Sequence, residues 1–232
     1  MTERLGSLCS VAYGAATRIG KAALLSLALA GGAPAEEVRV IALGDSLTQG
    51  FGLAEEEGFV PQLQAWLRER GVEAVVENHG VSGDTTAGGL ARIGWALSPE
   101  ADALIVALGG NDLLRGIPPE TARANLDGIL AEAEARDLPV LLVGLQAPGN
   151  YGPEYKAAFD AMYPELAEEY DALHAESFLA PLSEAAETDR DGALARYMQP
   201  DGIHPNAEGV AVIVEALGPA VEALIERATP QS

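Results

Sequence analysis

Short apolar runs that alternate with longer segments of helical periodicity constrain this chain more than any other feature. The apolar runs, each of strand length, cover residues 38–43, 72–77, 103–108 and 140–145, and a weaker one lies near 171–174. The helical segments cover residues 58–70, 87–97, 120–136 and 157–170. Regular alternation of strand and helix predicts an α/β fold, with a parallel sheet, right-handed crossovers and helices on both faces.

The C-terminal segment predicts one more helix, with an apolar stripe that should cover one face of the sheet. The stripe consists of Val210, Ile213, Val214, Leu217, Val221, Leu224 and Ile225. Gly218-Pro219 lies within this segment and is expected to kink or split the helix. No internal repeat or linker interrupts the chain, so we expect a single domain.

The first 35 residues are typical of a signal peptide. The basic residues Arg4, Arg18 and Lys21 precede a short apolar run at 22–30, and small residues follow at Ala33-Pro34-Ala35. The apolar run is shorter than the roughly 20 residues that a membrane-spanning helix needs. The sequence therefore predicts a signal peptide at 1–35 and a mature domain at 36–232, periplasmic or secreted. The single cysteine, Cys9, falls in the leader, so the mature chain would form no disulfide.

The formal net charge of −21 excludes one class of partner. Nucleic-acid binding depends on Lys and Arg neutralising phosphates, and this chain is strongly acidic. We therefore expect no nucleic-acid partner. We also expect a small-molecule substrate, a monomer, and no membrane span in the mature domain.

Polar loops follow the first three predicted strands. Ser46 lies in GDSLT after the first, Gly83 in SGDTT after the second, and Asn111 in GGND after the third. Each sequence alone is also typical of an ordinary turn or helix cap. Because ligands bind beyond the carboxyl ends of parallel strands, the three loops together predict a site at that edge.

A fourth loop, DGIHPN, precedes the last helix and contains Asp201 and His204. A serine becomes nucleophilic at neutral pH when a neighbouring base takes its proton, and the base needs an orienting carboxylate. Ser46, His204 and Asp201 can supply these three roles. Gly83 and Asn111 can donate hydrogen bonds to a developing oxyanion, so the set predicts acyl transfer.

These four blocks resemble those of the SGNH hydrolases, and the resemblance covers nearly all of residues 38–225. It is closest to the bacterial thioesterase I/protease I/lysophospholipase group and the related arylesterases. It implies a three-layer α/β/α sandwich with a five-stranded parallel sheet (flavodoxin-like), and no cofactor or metal. It also implies a catalytic triad of Ser46, Asp201 and His204, and an oxyanion hole formed by the N–H groups of Ser46 and Gly83 with the Asn111 side chain. The substrate-binding residues expected from it are Asp45, Leu47, Leu114, Pro148 and Tyr151.

Three other functions remain open. A carbohydrate acetylesterase would use the same blocks, although the two tryptophans, Trp66 and Trp95, both lie in predicted helices. A metal-dependent phosphoesterase is suggested by polar residues at strand ends, but three histidines are few for such a site. A lipid- or sugar-binding protein would not need the Asp-x-x-His pair. The residues that suggest the metal site are Asp45, Asp84, Asn111, Asp112, Asp201 and His204.

Overall fold

The computed structural model describes residues 37–185, 192 and 196–229. The predicted signal peptide lies outside the described residues and stays a prediction. Five parallel strands form one sheet in the order β2-β1-β3-β4-β5. They are β1 (Val38–Gly44), β2 (Ala74–Gly80), β3 (Ala103–Ala107), β4 (Val140–Val143) and β5 (Leu173–Ala175). The predicted five-stranded parallel sheet is confirmed.

Helices connect the strands and cover the sheet. They are α1 (Ser46–Gln49), α2 (Phe59–Glu69), α3 (Thr86–Ala96), α4 (Gly110–Leu114), α5 (Pro119–Glu134), α6 (Pro153–Glu169), α7 (Ala180–Ala185) and α8 (Ala207–Ala228), with a 3-10 turn at Glu55–Glu57. Helix α2 packs against α8, while α3 packs against α5 and α5 against α6. With right-handed crossovers these two groups lie on opposite faces of the sheet, which gives the predicted sandwich.

The second strand differs most from its predicted bounds. It begins two residues later than the apolar run and continues to Gly80, pairing with β1 along its whole length. Its last residues include Glu77, Asn78 and His79, which are polar because this edge strand is only partly buried there. Hydrophobicity alone could not predict that residues 77–80 belong to the strand, since backbone pairing with β1 holds them in place.

The predicted split of the last helix is wrong. Helix α8 runs without interruption from Ala207 to Ala228 and contains Pro219. Residues on both sides of the proline, including Leu217 and Val221, are buried. A Cβ atom on Gly218 would lie 2.5 Å from the ring of Trp66, so this glycine leaves room for the tryptophan of α2. Burial of both halves of the helix offsets the hydrogen bond that the proline cannot donate.

The sheet topology brings the polar loops together. The chain leaves β1 towards β2 on one side and later adds β3 on the other, so the strand order reverses at β1. Gly44 at the end of β1 pairs with Gly80 of β2 and with Ala107 of β3. The three strands therefore end at the same level. Within the described ranges, no helix combines the length and the apolar character needed to cross a bilayer.

Candidate active site

Ser46 occupies a tight turn between β1 and α1. The strand ends at Gly44, and Asp45 caps the helix by accepting a hydrogen bond from the Leu47 N–H at 3.0 Å. A Cβ atom on Gly44 would lie 1.9 Å from Thr48 Oγ1, so any larger residue would displace the turn. The sequence GDSLT thus places the serine as the first residue of α1.

Ser46, His204 and Asp201 form a continuous hydrogen-bonded chain. The Ser46 Oγ lies 2.9 Å from His204 Nε2. On the other side of the ring, His204 Nδ1 lies 2.7 Å from Asp201 Oδ2. The serine and the histidine are 158 positions apart in sequence, so the fold brings these two groups together. With Nδ1 protonated and bonded to the carboxylate, Nε2 can accept the serine proton.

The Asp201 carboxylate is held by its own loop. Its Oδ1 accepts hydrogen bonds from the backbone N–H groups of Ile203 at 2.9 Å and His204 at 3.0 Å. The hydrogen bond from the His204 side chain is the largest of several contacts that lower the pKa of Asp201 to about 2. The carboxylate therefore stays ionised throughout the neutral range and can fix the tautomer of the histidine.

The predicted oxyanion donors lie beside the serine. Asn111, in α4, donates from Nδ2 to the Asp84 carbonyl oxygen at 2.8 Å, and the same nitrogen lies 3.4 Å from Asp45 Oδ2. The contact with Asp45 is the longer of the two, so a substrate oxygen could replace Asp45 as the acceptor of that amide hydrogen. Gly83 has a φ of +80°. The backbone N–H groups of Gly83 and Ser46 have no acceptor among the residues that the structure describes.

Asp45 is a buried carboxyl group at this site. It is 2% exposed, and burial is the main cause that raises its pKa to about 6. The hydrogen bond from the Leu47 N–H acts in the opposite direction. The side chain thus caps α1, lies against the Asn111 amide and lines the cavity over Ser46.

A cavity of about 900 Å³ opens over Ser46. Of the predicted substrate-binding residues, Asp45, Leu47, Leu114 and Pro148 line it. Tyr151 is not among the lining residues. It packs instead on Tyr155, with ring centroids 4.9 Å apart, and its hydroxyl lies 3.5 Å from the Leu114 carbonyl oxygen. The other apolar lining residues are Phe51, Leu113, Leu145, Leu179, Leu182, Tyr197, Met198 and Ile203.

Sequence reasoning missed two residues that stabilise the site. Arg92 of α3 donates hydrogen bonds to Asp84 Oδ2 at 2.8 Å, to the His79 carbonyl oxygen at 2.8 Å and to the Gly44 carbonyl oxygen at 2.9 Å. It joins the ends of β1 and β2 to the turn that carries Gly83. Arg115 donates to the Gly83 carbonyl oxygen at 2.8 Å. Neither arginine was given a role from sequence, because a hydrogen bond to a distant carbonyl oxygen leaves no local signal.

The groups suggested for a metal site do not converge. Within residues 37–185, 192 and 196–229, no group of three or more His, Cys, Asp and Glu side chains is placed to hold a metal ion. Asp84 is paired with Arg92, and Asp112 accepts hydrogen bonds from the N–H and the hydroxyl of Thr86 at 2.8 and 2.6 Å. These carboxylates therefore hold the loops together.

Comparisons with known proteins show which proteins this chain is similar to. Esterase TesA of Pseudomonas aeruginosa is 37% identical over 187 residues, covering 80% of this chain and 89% of that protein. Thioesterase 1/protease 1/lysophospholipase L1 of Escherichia coli K12 is 32% identical over 192 residues, covering 80% and 84%. The crystal structure of AlinE4, described as an SGNH-hydrolase family esterase, is 44% identical with a TM-score of 0.64, covering 84% of this chain and 98% of that one.

A protein-family model matches most of the chain. The model described as the GDSL-like Lipase/Acylhydrolase family matches residues 42–212, which span the loops of Ser46, Gly83, Asn111 and His204. A solved structure of TesA, 35% identical, covers 80% of this chain and 99% of its own with a TM-score of 0.71. The resemblance seen in the sequence is thereby confirmed: the chain belongs to the GDSL-like lipase/acylhydrolase family and is a hydrolase of the SGNH type.

Proposed function

We propose that this protein hydrolyses carboxylic esters and thioesters through an acyl-enzyme on Ser46. The observation that carries the proposal is the chain of hydrogen bonds from Ser46 Oγ to His204 Nε2 at 2.9 Å and from His204 Nδ1 to Asp201 Oδ2 at 2.7 Å. A base at this distance from a hydroxyl can take its proton as the hydroxyl attacks. The names of the relatives, which include an esterase, an arylesterase and a thioesterase, support the same reaction class.

The reaction proceeds in two halves. Ser46 Oγ attacks the carbonyl carbon while His204 Nε2 takes its proton, and the carbonyl electron pair moves to oxygen. The N–H groups of Ser46 and Gly83 and the Asn111 side-chain amide stabilise that oxyanion. Collapse of the intermediate expels the alcohol or thiol, which receives the proton from His204. A water molecule then attacks the acyl carbon while His204 Nε2 takes its proton. Collapse of this second intermediate breaks the bond to Ser46 Oγ, which receives the proton from His204, and releases the carboxylic acid.

The cavity favours an acyl substrate over a sugar. Its walls are formed mainly by Leu, Phe, Met, Ile and Pro side chains, which suit an acyl chain or an aryl leaving group. Neither tryptophan of the sequence is among the described lining residues: Trp66 is buried against α8, and Trp95 is 80% exposed on α3. A tryptophan platform for sugar stacking is therefore lacking in this part of the wall, where the aromatic lining residues are Phe51 and Tyr197. The carbohydrate acetylesterase remains the second candidate from sequence, without a structural observation in its favour.

The test of the catalytic assignment is hydrolysis of p-nitrophenyl butyrate by the purified protein. We expect Ser46→Ala to lower kcat by on the order of a thousand-fold or more. Ser98→Ala is the matched control, because Ser98 precedes β3 at the opposite edge of the sheet. A fluorophosphonate probe should label the control and not Ser46→Ala. Equal turnover by the two variants would refute the assignment.

A substrate panel separates the ester classes. We expect p-nitrophenyl esters and acyl-CoA thioesters to be cleaved faster than acetylated xylan, since the described walls are apolar. Faster release of acetate from xylan than from a p-nitrophenyl ester would favour the carbohydrate acetylesterase. Activity lost with EDTA and restored by a divalent cation would favour the phosphoesterase class.

We also propose that residues 1–35 direct export and are removed. The support is the order of a basic flank, an apolar run and the small residues Ala33-Pro34-Ala35. Expression of the full chain in a bacterium should give a periplasmic or secreted product that begins at Glu36, as measured by intact mass. Leu25→Arg, which places a charge in the apolar run, should keep the full-length chain in the cytoplasm. Full-length wild-type protein in the cytoplasm would contradict the proposal.

A further inference from the structure

Gln199 joins two loops that meet at the catalytic histidine. Its side-chain Nε2 donates hydrogen bonds to the Phe51 carbonyl oxygen at 2.8 Å and to the Pro205 carbonyl oxygen at 3.0 Å. Its backbone N–H donates to the His204 carbonyl oxygen at 2.7 Å. Both side-chain amide hydrogens are thus used, one on each loop. The same residue also fixes the backbone of the histidine itself.

The Phe51 loop contacts the imidazole ring, and the second loop carries it. The Phe51 ring lies against His204, with ring centroids 4.7 Å apart and an interplanar angle of 38°. Pro205 directly follows the histidine. Phe51 is 49% exposed, so burial alone does not hold it in place. The hydrogen bond from Gln199 to its carbonyl oxygen therefore secures the residue that packs on the ring.

The chain beside Phe51 is shaped to admit the glutamine. Gly52 has a φ of +77°, and a Cβ atom there would lie 2.3 Å from Gln199 Oε1. Any other residue at this position would both strain the backbone and displace the carboxamide. The position of the Gln199 carboxamide therefore requires a glycine at residue 52.

We propose that Gln199 is a positioning residue that holds the His204 imidazole against Ser46 by tying the Phe51 loop to the histidine loop. The inference rests on the proposed function, because it concerns the same proton transfer. Asp201 cannot perform this task alone: it lies on the same loop as His204 and so orients the ring without fixing the loop relative to α1. A misplacement of about 1 Å between reacting groups can lower turnover by about a hundred-fold.

The test is Gln199→Met, which preserves the length of the side chain and removes both donors. We expect kcat for p-nitrophenyl butyrate to fall about ten- to a hundred-fold while KM changes less than about two-fold. Gln64→Met is the matched control. Gln64 Nε2 donates to the Ala74 carbonyl oxygen at 2.7 Å, and its Oε1 accepts from the Val76 N–H at 2.9 Å, far from the serine. This control should keep the kcat of the wild type.

A second measurement separates positioning from a general loss of structure. The Nδ1 proton of His204, bonded to Asp201, should give a far-downfield NMR resonance in the wild type and in Gln64→Met. In Gln199→Met we expect this resonance to shift or broaden, while circular dichroism stays that of the wild type. If Gln199→Met folds poorly, Gln199→Glu serves in its place, since it also lacks the amide hydrogens, and kcat is taken per folded molecule.

Two results would overturn the inference: a kcat per folded molecule within two-fold of the wild type, or an equal loss in the Gln64 control. Neither would touch the proposed function, which is tested separately by Ser46→Ala. An active wild type, an inactive Ser46→Ala and an unchanged Gln199→Met would leave the hydrolase proposal standing and remove this one. Turnover unaffected by Ser46→Ala would instead remove the proposed function.

Discussion

The buried carboxyl group of Asp45, beside Ser46, allows a quantitative prediction about stability. Burial raises its pKa to about 6, from the 3.8 of an exposed aspartate. The folded protein therefore holds a proton on Asp45 at pH values where the unfolded chain has released it. Stability contributed by this group is present below about pH 4 and is lost as the pH rises through 6. This rise of about two in the pKa, at about 1.4 kcal/mol for each pKa unit, corresponds to a loss of about 3 kcal/mol in the free energy of unfolding at neutral pH.

The perturbation that reveals this cost is Asp45→Asn. Asparagine is nearly isosteric, and its carbonyl oxygen can still accept the Leu47 N–H that caps α1. The amide would replace the oxygen that lies 3.4 Å from Asn111 Nδ2, which adds an offset independent of pH. We therefore expect the free energy of unfolding of Asp45→Asn, relative to the wild type, to increase by about 2.5 kcal/mol between pH 4 and pH 7.

Urea unfolding followed by circular dichroism at four or five pH values from 4 to 7 measures this difference. Subtraction of the wild-type curve removes the titrations common to both proteins. The pH dependence of the difference should lie between the two pKa values, with most of the change complete by pH 6.5. A difference between the two proteins that is constant over the whole range would refute the reasoning, since it would mean that Asp45 ionises in the folded protein as readily as in the unfolded chain.

Three further predictions follow from the same contacts. Asn111→Ala should lower kcat by on the order of a hundred-fold or more and leave KM nearly unchanged, because the amide stabilises the oxyanion more than the bound substrate. Asp201→Asn should lower kcat by roughly ten-thousand-fold, because asparagine would favour the wrong tautomer of His204. Since the pKa of Asp201 is lowered to about 2, the pH profile of wild-type kcat/KM should show no step near pH 4 from this group. Gly218→Ala should lower the free energy of unfolding by about 1–3 kcal/mol, since its Cβ would lie 2.5 Å from the Trp66 ring, without changing kcat at temperatures where the protein is folded.

The helix and strand pattern was predictable where one physical signal dominated. The buried strands β3 and β4 read as continuous apolar runs, and β1 does so apart from Arg39, because both of their faces are covered by helices. The exposed end of β2 carried no such signal, and the predicted strand stopped early. Helix α8 was expected to break at Pro219, since local rules give proline a cost and say nothing of the packing that offsets it.

The candidate site was predictable to a similar degree. Ser46, Gly83, Asn111 and His204 could be proposed because each follows a strand or precedes the last helix, and the carboxyl ends of parallel strands share one edge. The substrate contacts were less accessible to sequence reasoning. Leu114 and Pro148 line the cavity, whereas Tyr151 packs beside it on Tyr155, which depends on how two loops meet in space.

By itself, the sequence determined the α/β architecture, the family and the residue types available for acyl transfer, because hydrophobic periodicity and short motifs are local properties of the chain. Only the tertiary structure decided which groups meet. The distance from Ser46 to His204, the burial of Asp45 and the two-loop contact of Gln199 each join segments distant in sequence or depend on surrounding side chains. Such contacts result from the packing of the whole domain. Hydrogen bonding and desolvation depend on the distances and the burial that this packing produces, and no short stretch of sequence encodes them.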